Sequence, residues 1–199
     1  MSKIDTIFFD WGGVVANDPG DDFLGHLLKN VGATDEQVAA IFETYMKRFM
    51  RGQITEQEYW QKIKLNFGLS IPDSISDEFM KWNGLTANQD ILALISGLRR
   101  DGLKVAILSN VIEPTYNVLK KAGYYDLFDE TIASCKVGFA KPERKIYQVS
   151  LDKLGTTADK SLFIDDKQRN LDPASQMGFS VILAENPEQI IRDIKKRLA

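Results

Sequence analysis

The alternation of short apolar runs with helical segments is the feature that most constrains the fold. Five runs rich in Ile, Val, Leu and Phe are predicted as strands, at residues 4–9, 103–108, 131–133, 161–164 and 180–183. Continuous apolar runs are typical of parallel strands that are covered on both faces. Helical patterns at residues 90–100, 115–122 and 143–154 lie between them, each followed closely by a glycine of the kind that ends helices. This order predicts a doubly wound parallel α/β sheet.

One long segment interrupts the alternation. Between about residues 18 and 86 no strand is predicted, and two capping boxes, "TDEQ" at residues 34–37 and "TEQE" at residues 55–58, each open an amphipathic helix. We therefore predict a small helical domain over residues 17–87, inserted into a core formed by residues 1–16 and 88–199. Arg48 and Arg51 of this segment are interpreted as solvated helix charges.

The composition is that of an ordinary globular protein, with 44% hydrophobic and 27% charged residues among 199. A net charge of −3 with scattered basic residues gives no sign of a nucleic-acid partner. The single cysteine, Cys135, excludes an internal disulfide framework, and no apolar run approaches the length of a membrane span. We expect a soluble cytoplasmic protein that binds neither nucleic acid nor membranes. The sequence leaves the oligomeric state open, and a monomer is compatible with it.

Polar residues follow the predicted strands at the edge where open α/β sheets bind ligands. Four short motifs carry them: "FFDWGGVV", "ILSN", "KPERKIY" and "FIDDKQRN". The residues concerned are Asp10, Ser109, Asn110, Lys141, Asp165 and Asp166.

These residue types suggest phosphate chemistry. Carboxylates that converge on one point repel each other unless a cation lies among them, and hard oxygen ligands suit Mg²⁺. Asp10 is already ionised at neutral pH, so it needs no base to act as a nucleophile. Ser109 and Lys141 would contact the phosphoryl oxygens, together with the N-terminal amides of a helix that begins near Glu113.

The four motifs, in this order, resemble those of the haloacid dehalogenase (HAD) superfamily of phosphohydrolases, and the resemblance covers nearly the whole chain. Two further stretches resemble its phosphatase-like branch: "FMRGQITEQEYW" and "KAGYYDLFDETIASCKVGFAKPE". The resemblance implies a Rossmann-like sheet core with a small helical cap that closes over the active site.

The resemblance also implies roles for individual residues. Asp10 is expected to form an aspartyl-phosphate, and Lys141 is expected to assist catalysis and to bind the substrate phosphate with Ser109 and Asn110. The expected Mg²⁺ ligands are Asp10, the backbone carbonyl of Gly12 and Asp166. Asp165 is expected either to bind the metal as a further ligand or to contact the residues that bind it. Asn170 is expected to hold this metal loop by hydrogen bonding, and Lys136 is a weaker candidate than Lys141 for the phosphate.

Gly12 departs from the family pattern. Most phosphatases of the family carry an aspartate at this position, which protonates the leaving group and then activates water. Three interpretations follow: a Mg²⁺-dependent phosphatase of a small phosphorylated metabolite, a 2-haloacid dehalogenase-like hydrolase, or a weakly active protein that binds phosphorylated ligands for regulation. The phosphatase would use metal-bound water or another carboxylate, such as Asp18, Asp21 or Asp22. The pair Asp165 and Asp166 favours the phosphatase, because a dehalogenase needs no metal.

Overall fold

A computed structural model describes residues 3–16, 20–70, 74–81 and 86–198, and its centre is one parallel sheet. The strand order is β3-β2-β1-β4-β5. The strands are β1 (Thr6–Phe9), β2 (Lys104–Ser109), β3 (Glu130–Ala133), β4 (Ser161–Asp165) and β5 (Ser180–Leu183). All five predicted strands are thus confirmed, with small differences at their ends.

Helices cover the sheet and fill the long segment after β1. They are α1 (Gly20–Asn30), α2 (Asp35–Ile41), α3 (Lys47–Met50), α4 (Glu56–Phe67), α5 (Ile75–Lys81), α6 (Gln89–Arg100), α7 (Glu113–Lys121), α8 (Ser134–Val137), α9 (Arg144–Leu154), α10 (Gln168–Gln176) and α11 (Pro187–Leu198). A π-helical turn, Phe42–Met46, joins α2 to α3. The helix α10 was not predicted, because its sequence is mostly polar and contains Pro173. Within the described ranges, no helix is long and apolar enough to cross a membrane.

The register of the sheet brings the predicted polar residues to one edge. In the central strand β1, Phe9 pairs with Ile107 of β2 on one side and with Ile164 of β4 on the other. Asp10, which follows Phe9, and Asp165, which follows Ile164, therefore emerge at the carboxyl edge of the sheet, together with Ser109 at the end of β2. Both faces of the sheet are covered by buried apolar side chains, as the continuous apolar runs predict.

Between β1 and α6, the described residues form helices and only isolated bridges. Both predicted capping boxes are present, because Thr34 accepts a hydrogen bond from the amide of Gln37 and Thr55 accepts one from the amide of Glu58. Among the contacts that join this helical segment to the rest of the chain are one with α7 and one with α8. The hydroxyl of Ser76 in α5 donates to the carbonyl of Pro114 in α7 at 3.5 Å.

The second contact is a close backbone approach at Gly52. This residue follows α3 with φ of 64°, and a Cβ added there would overlap the carbonyl oxygen of Cys135 in α8. Glycine is required at this position both for the conformation and for the contact. The helical segment is therefore packed against α7 and α8, at the carboxyl edge of the sheet.

Candidate active site

The centre of the candidate site is the buried ammonium group of Lys141. Its Nζ lies 2.9 Å from Oδ2 of Asp10 and 2.6 Å from Oδ2 of Asp165. Asp10 directly follows β1, Asp165 is the last residue of β4, and Lys141 comes from the loop before α9. Three of the predicted motifs therefore meet, and the side chains involved are almost completely shielded from solvent.

Asp165 is held by protein donors on both carboxylate oxygens. Besides Lys141, the backbone amide of Lys167 donates to Oδ1 at 2.8 Å. Nδ2 of Asn170 donates to Oδ1 at 2.9 Å and to Oδ2 at 3.1 Å, as expected of a residue that holds the acidic loop. The carbonyl of Asn170 accepts in turn from the hydroxyl of Tyr147 at 2.7 Å. The beginning of α10 thus fixes Asp165 against Lys141.

Asp166 completes a group of three acidic residues. One carboxylate oxygen from each of Asp10, Asp165 and Asp166 lies within 4.8 Å of the others. Gly13 allows the close approach of Asp166: its φ is 71°, and a Cβ there would lie 2.7 Å from Cγ of Asp166. Clustered hard oxygen donors fit Mg²⁺, and they leave no soft ligand for a thiophilic metal.

Ser109 and Asn110 stand at the end of β2, as predicted, but their side chains contact different partners. The Ser109 side chain lies beside the Asp10 carboxylate, where both line the same cavity. Asn110 pairs with the backbone of Lys141, because its Oδ1 accepts from the Lys141 amide at 2.7 Å and its Nδ2 donates to the Lys141 carbonyl at 2.8 Å. Asn110 therefore orients the loop of Lys141, and its contact with phosphate stays a prediction.

The electrostatics of the site follow from burial. Burial raises the pKa of Asp10 to about 7; the nearby Lys141 opposes this shift, and the charge of Asp165 adds to it. Burial alone would lower the pKa of Lys141, but the carboxylates of Asp10 and Asp165 outweigh it and raise that pKa. Lys141 is consequently an ammonium ion at neutral pH. A second cation beside Asp10 would favour its ionised, nucleophilic form.

One other candidate from the sequence, Lys136, lies away from the site. Lys136, the weaker candidate for the phosphate, forms an ion pair with Glu113, and its Nζ stands 4.9 Å from the ring centre of Tyr116. The side chains proposed to replace the missing acid at position 12, those of Asp18, Asp21 and Asp22, lie outside the described residues.

A cavity of about 360 Å³ opens beside Asp10. Gly12 lines it together with the polar residues of the strand ends, and helices of the long segment supply much of the remaining wall. The apolar residues that line the cavity include Trp11, Phe23, Leu24, Met50, Phe79, Val111, Ile112, Leu119, Tyr125 and Pro142. The sequence did not allow this lining to be predicted, because an apolar position on a helix has the same pattern whether its side chain fills a core or faces a cavity.

The expectation for Arg51 is wrong. Its guanidinium is not merely solvated: Nη2 lies 2.8 Å from Oε1 of Glu143, the residue just before α9.

A family model for haloacid dehalogenase-like hydrolases matches residues 4–178. The chain belongs to this family. Among curated relatives, acyl-CoA dehydrogenase family member 10 of Mus musculus is 25% identical over 210 residues, which cover 97% of this chain but only 19% of the mouse protein. Sesquiterpene phosphatase astK of Aspergillus oryzae is 27% identical over 175 residues, covering 86% of this chain and 82% of the fungal protein.

Solved structures of other HAD-like proteins share the fold. A HAD-like family hydrolase from Porphyromonas gingivalis superposes with a TM-score of 0.82 at 22% identity, over 99% of this chain and 98% of that one. A HAD family enzyme from Bacteroides thetaiotaomicron, solved as a magnesium complex, has a TM-score of 0.75 at 24% identity, over 96% and 100% of the two chains. The Rossmann-like α/β architecture expected from the sequence is thereby confirmed.

Proposed function

We propose that this HAD-like hydrolase is a Mg²⁺-dependent phosphatase that hydrolyses a small phosphorylated metabolite through an aspartyl-phosphate on Asp10. The observation that carries the proposal is the buried Asp10 carboxylate beside both Lys141 and the carboxylates of Asp165 and Asp166. This arrangement supports the approach of a phosphate dianion, because one lysine and one divalent cation would offset the three carboxylates.

Magnesium would be held by Asp10, the backbone carbonyl of Gly12 and Asp166. We assign Asp165 to a supporting role, because both of its carboxylate oxygens already accept hydrogen bonds from Lys141, Lys167 and Asn170. When bound, Mg²⁺ supplies charge neutralisation and polarises the phosphoryl group. The magnesium complex of the Bacteroides thetaiotaomicron enzyme, which shares this fold, agrees with this choice of metal.

In the first step, an oxygen of Asp10 forms a bond to phosphorus while the ester P–O bond breaks. Lys141 faces Asp10 and stabilises the negative charge that develops on the phosphoryl oxygens, and Ser109 donates a hydrogen bond beside it. In the second step, water attacks phosphorus and the bond to Asp10 breaks, which releases inorganic phosphate. Because residue 12 is a glycine, the leaving alkoxide would take its proton from water.

The helices α1 to α5, within residues 17–87, would act as a cap over the core of residues 1–16 and 88–199. Their packing on α7 and α8 and their share of the cavity wall support this role. A covered site limits the entry of bulk water and favours compact substrates over proteins. The similarity to a sesquiterpene phosphatase over most of both chains further supports phosphatase activity.

The decisive experiment measures phosphate release from 4-nitrophenyl phosphate by the purified protein, with Mg²⁺ and with EDTA, for wild type and Asp10→Asn. We expect release that requires Mg²⁺ and that falls at least about a thousandfold in Asp10→Asn, since the attacking oxygen would be lost. Asp152→Asn, on the exposed side of α9, is the matched control and should leave the rate unchanged.

Two other outcomes would replace the proposal. Metal-independent release of halide from a 2-haloacid would establish a dehalogenase. Thermal stabilisation by phosphorylated compounds without turnover of any of them would indicate a protein that binds phosphorylated ligands for regulation.

A further inference from the structure

We propose that the cavity beside Asp10 binds a hydrocarbon group, so that the substrate is the phosphate monoester of a compact hydrophobic alcohol with roughly ten carbon atoms. This inference rests on the proposed phosphatase activity and names the class of its substrate. It concerns the apolar wall, defined here as the side chains of Phe23, Leu24, Phe79, Ile112, Leu119 and Tyr125.

The apolar wall is formed by both parts of the chain. Phe23 and Leu24 of α1 and Phe79 of α5 come from the helical segment, and the rings of Phe23 and Phe79 pack edge to face with centroids 5.4 Å apart. Ile112, Leu119 and Tyr125 come from the region of α7 and the turn that follows it. Each of these six residues is at most 8% exposed, so most of its surface packs inside the protein and only a small part faces the cavity.

The polar groups of the cavity are concentrated where the phosphate would lie. Asp10, Ser109 and Lys141 belong to the strand-end edge, where Lys141 forms an ion pair with Asp10. The cations Lys47, Lys167 and Arg169 also line the cavity; Lys47 and Arg169 are exposed, and the half-buried Lys167 follows the acidic pair at the strand-end edge. A sugar placed against the apolar wall would leave hydroxyl groups without hydrogen-bond partners, which is unfavourable. A hydrocarbon carries no such cost.

The size of the cavity sets the size of the group. An apolar cavity of about 150 Å³ accommodates benzene, which corresponds to roughly 25 Å³ for each carbon atom. The 360 Å³ beside Asp10 must also hold the phosphate group with its five heavy atoms. The remaining volume fits roughly ten carbon atoms. Long-chain lipids would be too large, and short polar phosphates would leave the wall unfilled.

The test measures binding separately from catalysis, with alkylphosphonates, which cannot be hydrolysed at the P–C bond. Calorimetry in the presence of Mg²⁺ gives the dissociation constant for ethyl-, butyl-, hexyl-, octyl-, decyl- and tetradecylphosphonate. We expect the affinity to rise about threefold for each added methylene up to about ten carbons, since burial of a methylene is favourable, and then to fall. A flat series, or a series that rises without a maximum as adsorption to any apolar surface would, overturns the proposal.

A substitution that fills the cavity tests the position of the hydrocarbon. Leu119→Phe places a larger side chain in the apolar wall, so the ratio of octylphosphonate to ethylphosphonate affinity should fall at least about tenfold. Leu154→Phe overpacks a buried position in the separate apolar core near the end of α9 and is the matched control. An equal ratio of octylphosphonate to ethylphosphonate affinity in both variants would contradict the placement of the hydrocarbon against the apolar wall. If Leu119→Phe fails to fold, Thr115→Leu, which extends the wall from α7, should instead raise the ratio.

The proposed phosphatase activity and this inference fail in different ways. If 4-nitrophenyl phosphate is hydrolysed but phosphonate affinity does not depend on chain length, the protein is a phosphatase and the proposed hydrophobic substrate class is wrong. If affinity follows chain length without turnover of octyl phosphate or 4-nitrophenyl phosphate, the apolar wall is a binding site of a protein that is not a phosphatase.

Discussion

Arg51 binds Glu143 and thereby joins the helical segment to the loop that carries Lys141. Nη2 and Nε of Arg51 lie 2.8 Å and 2.9 Å from Oε1 of Glu143. The same oxygen accepts a hydrogen bond from the backbone amide of Ala140 at 2.9 Å, so a single carboxylate oxygen contacts both partners. The position of Arg51 is thus coupled to the backbone on either side of Lys141.

We predict that Arg51→Ala lowers kcat for phosphate release by roughly tenfold to a hundredfold, because small displacements of a catalytic group are costly. The melting temperature should change by less than about 3 °C, since a partly exposed ion pair contributes only about 0–1 kcal/mol. The measurement combines steady-state kinetics with thermal unfolding. Arg48→Ala, which removes an exposed cation of α3 just before Arg51, is the control, and Arg51→Lys should restore part of the loss. Equal kinetics in the two alanine variants would refute the coupling.

The contact between Gly13 and Asp166 provides a second prediction. Gly13→Ala should abolish most Mg²⁺-dependent stabilisation, because the new Cβ would lie 2.7 Å from Cγ of Asp166 and force that carboxylate away. Gly68→Ala is a matched control: its φ of 67° is close to the 71° of Gly13, but no atom lies within 4 Å of its added Cβ. Both variants bear about 1–2 kcal/mol of backbone strain, so only the steric effect distinguishes them.

The shift in melting temperature between EDTA and saturating Mg²⁺ is the quantity to compare in these two variants. Gly68→Ala should keep the shift of the wild type, at a lower absolute melting temperature. A Mg²⁺-dependent shift of wild-type size in Gly13→Ala would show that Asp166 can bind the metal with a Cβ at position 13, and would contradict the prediction.

The meeting of Asp10 and Asp165 could be predicted because the carboxyl ends of parallel strands share one edge of a sheet, and the resemblance to the HAD superfamily added Lys141. The sequence did not allow the contacts of Arg51 or Gly13 to be predicted. Arg51 meets a residue far away in the sequence, and its partner depends on how the helical segment sits on the core. The pairing of Asn110 with the Lys141 backbone was not predicted for a similar reason, because an asparagine side chain can form hydrogen bonds either with a phosphate or with a peptide group.

The raised pKa of Asp10 predicts an unusual pH dependence of stability. Folding raises this pKa from 3.8 to about 7 through burial, so the folded protein binds the proton more tightly than the unfolded chain. In metal-free protein, this group therefore makes stability fall as the pH rises from about 4 to about 7. Lys141 does not reverse the trend, because its raised pKa leaves it charged in both states throughout this range.

Asp10→Asn removes this titration, so metal-free Asp10→Asn should melt at least about 3 °C above wild type at pH 8 and close to wild type at pH 4. Saturating Mg²⁺ at pH 8 should stabilise the wild type more than the variant, because the cation favours the ionised carboxylate. Thermal unfolding in EDTA and in Mg²⁺ at the two pH values measures both effects. A difference between the two proteins that does not change with pH would contradict the prediction.

The last prediction concerns Gly12, which lines the cavity next to Asp10. The resemblance to the HAD superfamily implies that most of its phosphatases carry an aspartate at this position. Such an acid increases the rate only where the leaving group needs a proton. Gly12→Asp should therefore raise kcat for hexyl phosphate by roughly tenfold to a hundredfold, and change kcat for 4-nitrophenyl phosphate by less than about threefold, because nitrophenolate leaves without protonation. Gly12→Asn is the control of equal size without an acid. If Gly12→Asp and Gly12→Asn change the two rates in the same way, the prediction that an acid at position 12 protonates the leaving alkoxide is wrong.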